Sequence, residues 1–174
     1  MLNAQAEEKT IPIIAIGDLH ADISSAKKAF ELAKITDADG KWIISDVIVV
    51  QTGDITDRGP DGLAILEWIR SLEQAAPKHN SQFYSLIGNH EAMNLIGDWR
   101  YVSPLDLQSF GGKEQRITAF SKGGVWREWF LTHEAVININ GNIFLIRCDL
   151  LRGSFIQLIY NHFGICKLLT FINS

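Results

Sequence analysis

Cysteine is scarce in this chain, whose 174 residues contain only Cys148 and Cys166. Two cysteines are too few for a disulfide scaffold or a thiolate zinc site, so we expect both to be free buried thiols. Positive charge is not in excess either, because 16 Lys and Arg residues face 20 Asp and Glu residues, a net charge of −4. Without surplus cations to neutralise a phosphate backbone, we expect no nucleic-acid partner.

Long apolar runs are also missing from the sequence. No stretch approaches the roughly 18 apolar residues that a membrane-spanning helix needs, so we expect no membrane association. Hydrophobic residues make up 47% and charged residues 21%, close to the average for globular proteins, which excludes disorder or coiled coil for the whole chain. The length suits one domain that buries roughly 70% of its unfolded surface.

Residues 1–10 are read as a polar N-terminal tail. Within it, Ala4-Gln5-Ala6 resembles the small-x-small end of a secretory signal, but the charged and apolar regions that should precede it are missing. Two interpretations stay open: an ordinary tail on a cytoplasmic protein, or the remnant of an export signal, which would make the protein periplasmic. No pattern in the sequence predicts an oligomeric state.

Three short apolar runs have the composition of strands covered on both faces: 11–16, 47–51 and 83–87. Between the first two, apolar residues recur at helical spacing over 22–34, with Asp22 or Ser24 as the candidate N-cap. Between the second and third, a helical pattern covers 60–76, with Pro60 in its first turn. Strand, helix, strand, helix, strand predicts two βαβ units and therefore an α/β fold with a parallel sheet.

The second half of the chain is less regular. Strand-like runs at 136–139 and 143–146 flank Asn140-Gly141, which is a strong β-hairpin signal. From residue 146 onward the composition becomes apolar and poor in charge, which indicates either a buried C-terminal helix or a domain interrupted by truncation or a change of reading frame. We therefore expect a domain over 11–145 and a divergent apolar segment over 146–174.

Each of the three predicted strands is followed by a polar cluster: GDLH at 17–20, GDITDRG at 53–59 and GNHE at 88–91. Because the carboxyl ends of parallel strands open onto one edge of a sheet, we expect the three clusters to meet in one crevice. The candidate site residues that they supply are Asp18, His20, Asp54, Asp57, Asn89 and His90.

Carboxylate, imidazole and amide oxygen are ligands that suit zinc, iron or manganese better than thiolate-seeking ions. The two oxygens of Asp54 can bridge two ions, which together can clamp a phosphoryl group, and the fork of Arg58 matches phosphate oxygens. Taken singly, Asp18 or Asp54 would more often be a helix cap, and His90 a hydrogen-bonded histidine. Three clusters in order at three strand ends make the metal site the better interpretation.

The three clusters resemble the first three signature motifs of the calcineurin-like metallophosphoesterases. Their full sequences are similar to the form that these motifs take in the phosphoprotein phosphatase superfamily. The stretch NHEAMNLIGDWRY at 89–101 is similar to the bacterial Shewanella-like phosphatase branch of that superfamily. The resemblance covers about residues 11–145. It implies a two-sheet sandwich flanked by helices. The parallel strands belong to the first sheet and the hairpin begins the second sheet, which we expect to be incomplete after the hairpin.

The resemblance also implies a divalent metal centre of two ions, manganese, iron or zinc. The family's first ion is held by the residues that match Asp18, His20 and Asp54, and the second by those that match Asp54 and Asn89. After residue 145 the family continues with a His-Gly-Gly-like turn and a later histidine, which complete both sites. Here no histidine follows until His162, so the second site is expected to be incomplete.

For catalysis, the resemblance implies that His90 protonates the leaving oxygen and that Asp57 orients it. The phosphate-binding candidates are Arg58, Arg100 and Asn89. We expect neither of two other histidines, His79 and His133, to be a ligand, and read each as a surface or helix-end residue.

The function implied is a metal-dependent phosphoesterase that hydrolyses phosphate monoesters of phosphoprotein type by in-line attack of metal-bound hydroxide. Two alternatives stay open. One is hydrolysis of a small phosphate ester or a dinucleoside polyphosphate at the same kind of site. The other is a catalytically impaired remnant that binds metal or phosphate weakly.

Overall fold

The structure is a computed structural model that describes residues 11–145. The tail over 1–10 and the apolar segment over 146–174 lie outside the described residues, and so does the last residue of the predicted strand 143–146. The elements are, in chain order, β1 (Ile13–Ile16), α1 (Ile23–Leu32), β2 (Ile48–Gln51), α2 (Gly62–Ala75), a turn of 3-10 helix (Ala76–His79), β3 (Gln82–Ser85), α3 (Asn89–Leu95), α4 (Pro104–Ser109), α5 (Lys113–Phe120), α6 (Val125–Phe130), β4 (Val136–Ile139) and β5 (Asn142–Leu145).

The first three strands form one parallel sheet in the order β1-β2-β3, which confirms the two predicted βαβ units. Every residue of the central strand β2 is buried, which explains its continuous apolar run. The third strand ends earlier than the sequence predicts. Beyond it, the N–H of Ile87 donates to the carbonyl of Glu134 (2.9 Å), so the chain has left β2 and turned towards the hairpin segment.

The first helix begins where a side chain satisfies its free N–H groups. Asp22 is the N-cap of α1, because its Oδ1 accepts from the N–H of Ser25 (2.9 Å) and its Oδ2 accepts from the Ser25 hydroxyl (2.7 Å). That observation decides between Asp22 and Ser24. Helix α2 begins at Gly62, slightly later than predicted, and a Cβ at Gly62 would overlap the carboxylate of Asp106.

The parallel sheet has an apolar layer on each face. Val49 points into the cluster formed with the helices, whereas its neighbours Ile48 and Val50 belong to a second cluster that includes Ile139 of β4. This alternation along one strand places helices on one face of the sheet and the β4-β5 hairpin on the other. It agrees with the mixed α/β arrangement of two sheets flanked by helices that the resemblance implies.

The β4-β5 hairpin forms as predicted from Asn140-Gly141. The two strands are antiparallel, and Ile139 pairs with Asn142. Asn140 (φ 51°) and Gly141 (φ 82°) both have positive φ, as a two-residue I′ turn requires. Within residues 11–145, no helix combines the length and apolar character needed to span a bilayer.

Candidate active site

The three polar clusters meet at the carboxyl edge of the parallel sheet. His20 follows β1, Asp54 follows β2, and His90 lies in the first turn of α3 after β3. One potential ligand atom from each of these three residues lies within 4.8 Å of the other two. Two imidazoles and a carboxylate fit a divalent transition metal, so the donor chemistry of the cluster agrees with a metal site.

The loops that carry these residues have an unusual backbone. Five residues other than glycine have positive φ at or beside the site: His20, Ala21, Asp54, Asp57 and Arg58. Such conformations persist only where surrounding contacts hold them. Here the N–H of His20 donates to the carbonyl of Asp54, and the N–H of Gly59 donates to the carbonyl of His20, both at 2.9 Å. The first two loops are therefore locked to each other through their backbones.

Glu91 joins the second loop to the third. Its Oε1 accepts from the N–H groups of Ile55 and Thr56 and from the Thr56 hydroxyl, all at 2.9 Å. Its Oε2 accepts from the N–H groups of Asp54 and Gly88, both at 2.8 Å. Glu91 is the last residue of GNHE and had no predicted role, because its five donors come mainly from a loop more than 30 residues away.

Burial has the largest effect on the pKa of two candidate ligands, Asp54 and His20. Burial raises the pKa of the Asp54 carboxyl, opposed by the N–H of His90, which donates to Oδ1 at 3.1 Å. Burial, and then the positive charge of Arg58, lower the pKa of His20. A neutral imidazole is the form that binds a metal, so the lowered pKa of His20 favours a ligand role.

Asp18 and Asn89 are placed beside this cluster rather than within the three-residue group. Asp18 is exposed, and its charge acts on both His20 and Asp54. Asn89 is half-buried and begins α3, directly before His90. The ring of His90 packs edge-on against that of His20, with centroids 4.9 Å apart, which is why the group contains His90.

His90 and Asp57 form a buried pair. Nδ1 of His90 lies 2.9 Å from Oδ2 of Asp57, and both side chains are almost completely buried. Nε2 of His90 lies 3.2 Å from Nη2 of Arg58. A guanidinium can only donate and a carboxylate only accepts, so Nδ1 carries the proton and Nε2 accepts from Arg58. The proton position is thus assigned from the chemistry of the two partners.

The two phosphate-binding arginines differ in their surroundings. Arg58 lies against His90, whereas Arg100 forms a two-pronged ion pair with Asp98, Nε to Oδ1 at 3.0 Å and Nη2 to Oδ2 at 2.7 Å. The segment that holds Arg100 still borders the site. The N–H of Arg58 donates to the carbonyl of Tyr101 (2.9 Å), and the Tyr101 ring lies 5.2 Å from that of His90.

The histidines outside the cluster have other partners. His133 lies just after α6, which agrees with the helix-end alternative, and its side chain is 8% exposed. Its Nε2 lies 2.8 Å from Oε1 of Glu73, and its Nδ1 lies 2.7 Å from the carbonyl of Trp129. His133 therefore ties α6 to α2. His79 is half-buried in the 3-10 turn, and His162 lies outside the described residues.

A second group of residues that sequence analysis missed lies behind Asp57. Asn94 donates to Asp57 from its amide nitrogen (2.9 Å), and Arg116 of α5 contacts both Asn94 and Asp57. Asn94 lies within 89–101, the stretch that resembles the Shewanella-like branch, and that resemblance was the sequence signal that could have pointed to Asn94. No motif surrounds Arg116, and only the folded chain brings its guanidinium to Asn94 of α3.

Comparison with known proteins agrees with this geometry. The calcineurin-like phosphoesterase family matches residues 11–162. The chain is 34% identical over 123 residues to Shewanella-like protein phosphatase 2 of Arabidopsis thaliana, a match that covers 71% of this chain and 28% of that protein. It is 41% identical over 98 residues to Shewanella-like protein phosphatase 1 of Plasmodium berghei (strain Anka), which covers 56% and 27%.

A solved structure shows the same fold. The cold-active protein-tyrosine phosphatase of a psychrophilic Shewanella species superimposes with a TM-score of 0.66 and 28% sequence identity, covering 75% of this chain and 40% of that one. The chain thus spans well under half the length of each of these relatives. The resemblance inferred from the three clusters is confirmed, and the chain belongs to the calcineurin-like phosphoesterase family.

Proposed function

We propose that this chain carries the metal-binding and proton-donating part of a phosphoesterase site that hydrolyses phosphate monoesters. One observation carries the proposal. His20, Asp54 and His90 converge on one point, and the cation of Arg58 lies directly beside His90. Two candidate metal ligands (His20 and Asp54), a candidate proton donor (His90) and a phosphate-binding cation at the same sheet edge are what such a reaction needs. We assign this function to the domain over 11–145.

The residues that would hold a first divalent ion are His20, Asp54 and Asp18, and Asp54 with Asn89 would serve a second. When bound, such ions neutralise phosphate charge and lower the pKa of a coordinated water to near 7, which supplies a nucleophile. Asp54 suits a shared position because Glu91 holds its loop and the N-terminus of α3 holds its carboxylate.

Arg58 and His90 would act on different parts of the substrate, Arg58 on the phosphate oxygens and His90 on the leaving oxygen. The guanidinium of Arg58 binds the phosphate oxygens, which replace Nε2 of His90 as its acceptor. His90, once protonated at Nε2, donates that proton to the leaving oxygen, while the Asp57 carboxylate stabilises the imidazolium through Nδ1. Arg100 would add a second cation after releasing Asp98, and Asn89 would add an amide contact.

We propose phosphorylated proteins as the substrate class, since the matched relatives are named as protein phosphatases and a protein-tyrosine phosphatase. The site itself recognises only a phosphate group and a leaving oxygen, so peptides and small esters have to be compared directly. The identity of the metal is likewise a matter for measurement, among manganese, iron and zinc.

The test is hydrolysis by the purified chain supplied with Mn²⁺, Fe²⁺ or Zn²⁺. The substrates are p-nitrophenyl phosphate, phosphotyrosine and phosphoserine peptides, and diadenosine tetraphosphate. We expect metal-dependent release of phosphate from the monoesters and a loss of about 100-fold in Asp54→Asn. Asp39→Asn is the matched control, because Asp39 is exposed and outside the site. An inactive chain, or an Asp54→Asn variant as active as the control, would refute the proposal.

A further inference from the structure

Arg116 is a charged residue with no exposed surface, and its guanidinium reaches Asn94 and Asp57 behind the site. Nε donates to Oδ2 of Asp106 (2.8 Å), Nη1 donates to Oδ1 of Asn94 (2.7 Å), and Nη2 donates to Oδ1 of Asp57 (3.3 Å). Three acceptors from three different elements of the fold thus meet at one guanidinium. Burying a charge is costly unless it is paired and hydrogen-bonded, as this one is.

Aromatic rings hold the guanidinium in place. Its central carbon lies 4.7 Å from the ring centroid of Phe120, 5.3 Å from that of Phe110 and 5.6 Å from that of Trp99. Planar guanidinium groups stack favourably on aromatic faces. The direction of the donor fork is therefore set by packing as well as by its acceptors.

The same contacts determine which way Asn94 points. Because a guanidinium can only donate, the Asn94 carbonyl oxygen has to face Arg116. The amide NH₂ then faces the other way, where it donates to Oδ1 of Asp57 (2.9 Å) and to the carbonyl of His90 (2.8 Å). Arg116 therefore acts on Asp57 twice, directly through Nη2 and indirectly by orienting Asn94.

Asp106 is the second carboxylate that contacts Arg116. Arg116 brings one positive charge into a buried region that also holds the carboxylates of Asp57 and Asp106. The contact of Arg116 with Asp106 (2.8 Å) is shorter than its contact with Asp57 (3.3 Å). Arg116 contacts Oδ1 of Asp57, whereas Oδ2 contacts Nδ1 of His90.

We propose that Arg116 is a positioning residue: with Asn94 it holds Oδ1 of Asp57, so that Oδ2 stays aligned on Nδ1 of His90. The consequence for catalysis rests on the function proposed above, but the consequence for the hydrogen bond between His90 and Asp57 does not. Arg116 touches neither a ligand residue nor the phosphate-binding Arg58 through any of the contacts just described, so its effect on His90 passes through Asp57 and Asn94.

The direct test is NMR of the full chain labelled with ¹⁵N-histidine. The Nδ1–H resonance of His90 is assigned by its loss in His90→Gln and followed in Arg116→Lys. Lysine keeps the charge but offers one ammonium instead of a planar fork, so it cannot serve Asp106, Asn94 and Asp57 together. We expect the His90 resonance to shift or to broaden through exchange with water.

Two further variants separate positioning from general destabilisation. Arg116→Met combined with Asp106→Asn removes one charge of each sign, which keeps the net charge of the buried group unchanged, and it should perturb the His90 resonance as Arg116→Lys does. Phe30→Leu is the control, because Phe30 is fully buried against Trp68, in the helix-side core. It should lower stability and leave the His90 resonance in place.

An unchanged His90 resonance in folded Arg116→Lys would overturn the proposal. Loss of the folded state in that charge-preserving variant would overturn it as well, because Arg116 would then act on the fold and not on Asp57.

An activity measurement adds a second readout. If Arg116 acts through the acid His90, the loss of kcat in Arg116→Lys should be about 10-fold greater on phenyl phosphate than on p-nitrophenyl phosphate, whose leaving group needs little protonation. Equal losses on both substrates would count against the route through His90. If the unmodified chain has no activity, the proposed function fails, and the NMR result still decides the role of Arg116.

Discussion

Glu91 accepts two hydrogen bonds from Thr56, one from its backbone N–H and one from its hydroxyl, both at 2.9 Å and both at Oε1. A residue of the third polar cluster thus holds the loop of the second. The carboxylate is completely buried, and burial raises the pKa of Glu91, followed by the effect of the nearby Asp54 charge. The five donors around the two oxygens repay much of the cost of burying them.

Glu91→Gln tests these hydrogen bonds, because the glutamine side chain has nearly the same shape as that of glutamate. One end of the glutamine amide is an NH₂ group, so in either orientation it faces N–H donors that now lack an acceptor. We expect the free energy of unfolding to fall by about 1–3 kcal/mol, measured by urea denaturation. Glu67→Gln, an exposed change on α2, should leave the midpoint unchanged. Equal midpoints for the two variants would show that the hydrogen bonds of Glu91 add nothing to the free energy of unfolding.

Asp22→Ala tests the N-cap of α1 and its pH dependence. Hydrogen bonds from the Ser25 N–H and then from its hydroxyl hold the pKa of Asp22 below its ordinary value. A depressed pKa means that the stabilisation is present at neutral pH and is lost as the pH falls below about 4. We expect Asp22→Ala to cost about 1 kcal/mol at pH 7, and the difference from the unmodified chain to vanish in acid.

The control for that prediction is Asp22→Asn. Asparagine keeps an oxygen acceptor without a titrating group, so this variant should retain most of the capping at pH 7 and retain it in acid. Thermal unfolding followed at several pH values between 3 and 7 provides the measurement. An Asp22→Ala deficit of the same size at every pH would contradict the assignment.

His20→Ala tests the metal site without relying on turnover. His20 is part of the cluster with Asp54 and His90, and its lowered pKa favours the neutral, metal-binding imidazole. We expect titration calorimetry with Zn²⁺ or Mn²⁺ to show affinity weakened by at least about 10-fold. His79→Ala should bind as the unmodified chain does, because His79 lies in the 3-10 turn outside the cluster. Equal affinities would place the ion elsewhere.

His90→Asn tests the role of the acid. General acid catalysis contributes about 10²–10⁴-fold, so we expect kcat to fall by that factor on phenyl phosphate. The loss should be much smaller on p-nitrophenyl phosphate, because its leaving group is already a stable anion. Steady-state kinetics on both substrates decide the matter. The same loss on both would make His90 a ligand or a structural residue rather than the proton donor.

Local patterns in the sequence located the three strands, narrowed the start of α1 to two candidate caps and predicted the hairpin. The apolar run around Val49, the cap at Asp22 and the paired positive φ angles of Asn140 and Gly141 all depend on neighbouring residues. Order along the chain was also enough to bring the three clusters together, because parallel strands place their carboxyl ends at one edge. His20, Asp54 and His90 therefore followed from the sequence.

Only the tertiary structure decided the partners of those residues. Glu91 reaches a loop 35 residues away, Arg116 reaches Asp57 across 59 residues, and His133 reaches Glu73 across 60. None of these contacts has a periodic or local signature, because each joins segments that are far apart along the chain. Which buried polar group meets which acceptor is settled by the packing of side chains, and a linear pattern does not carry that information.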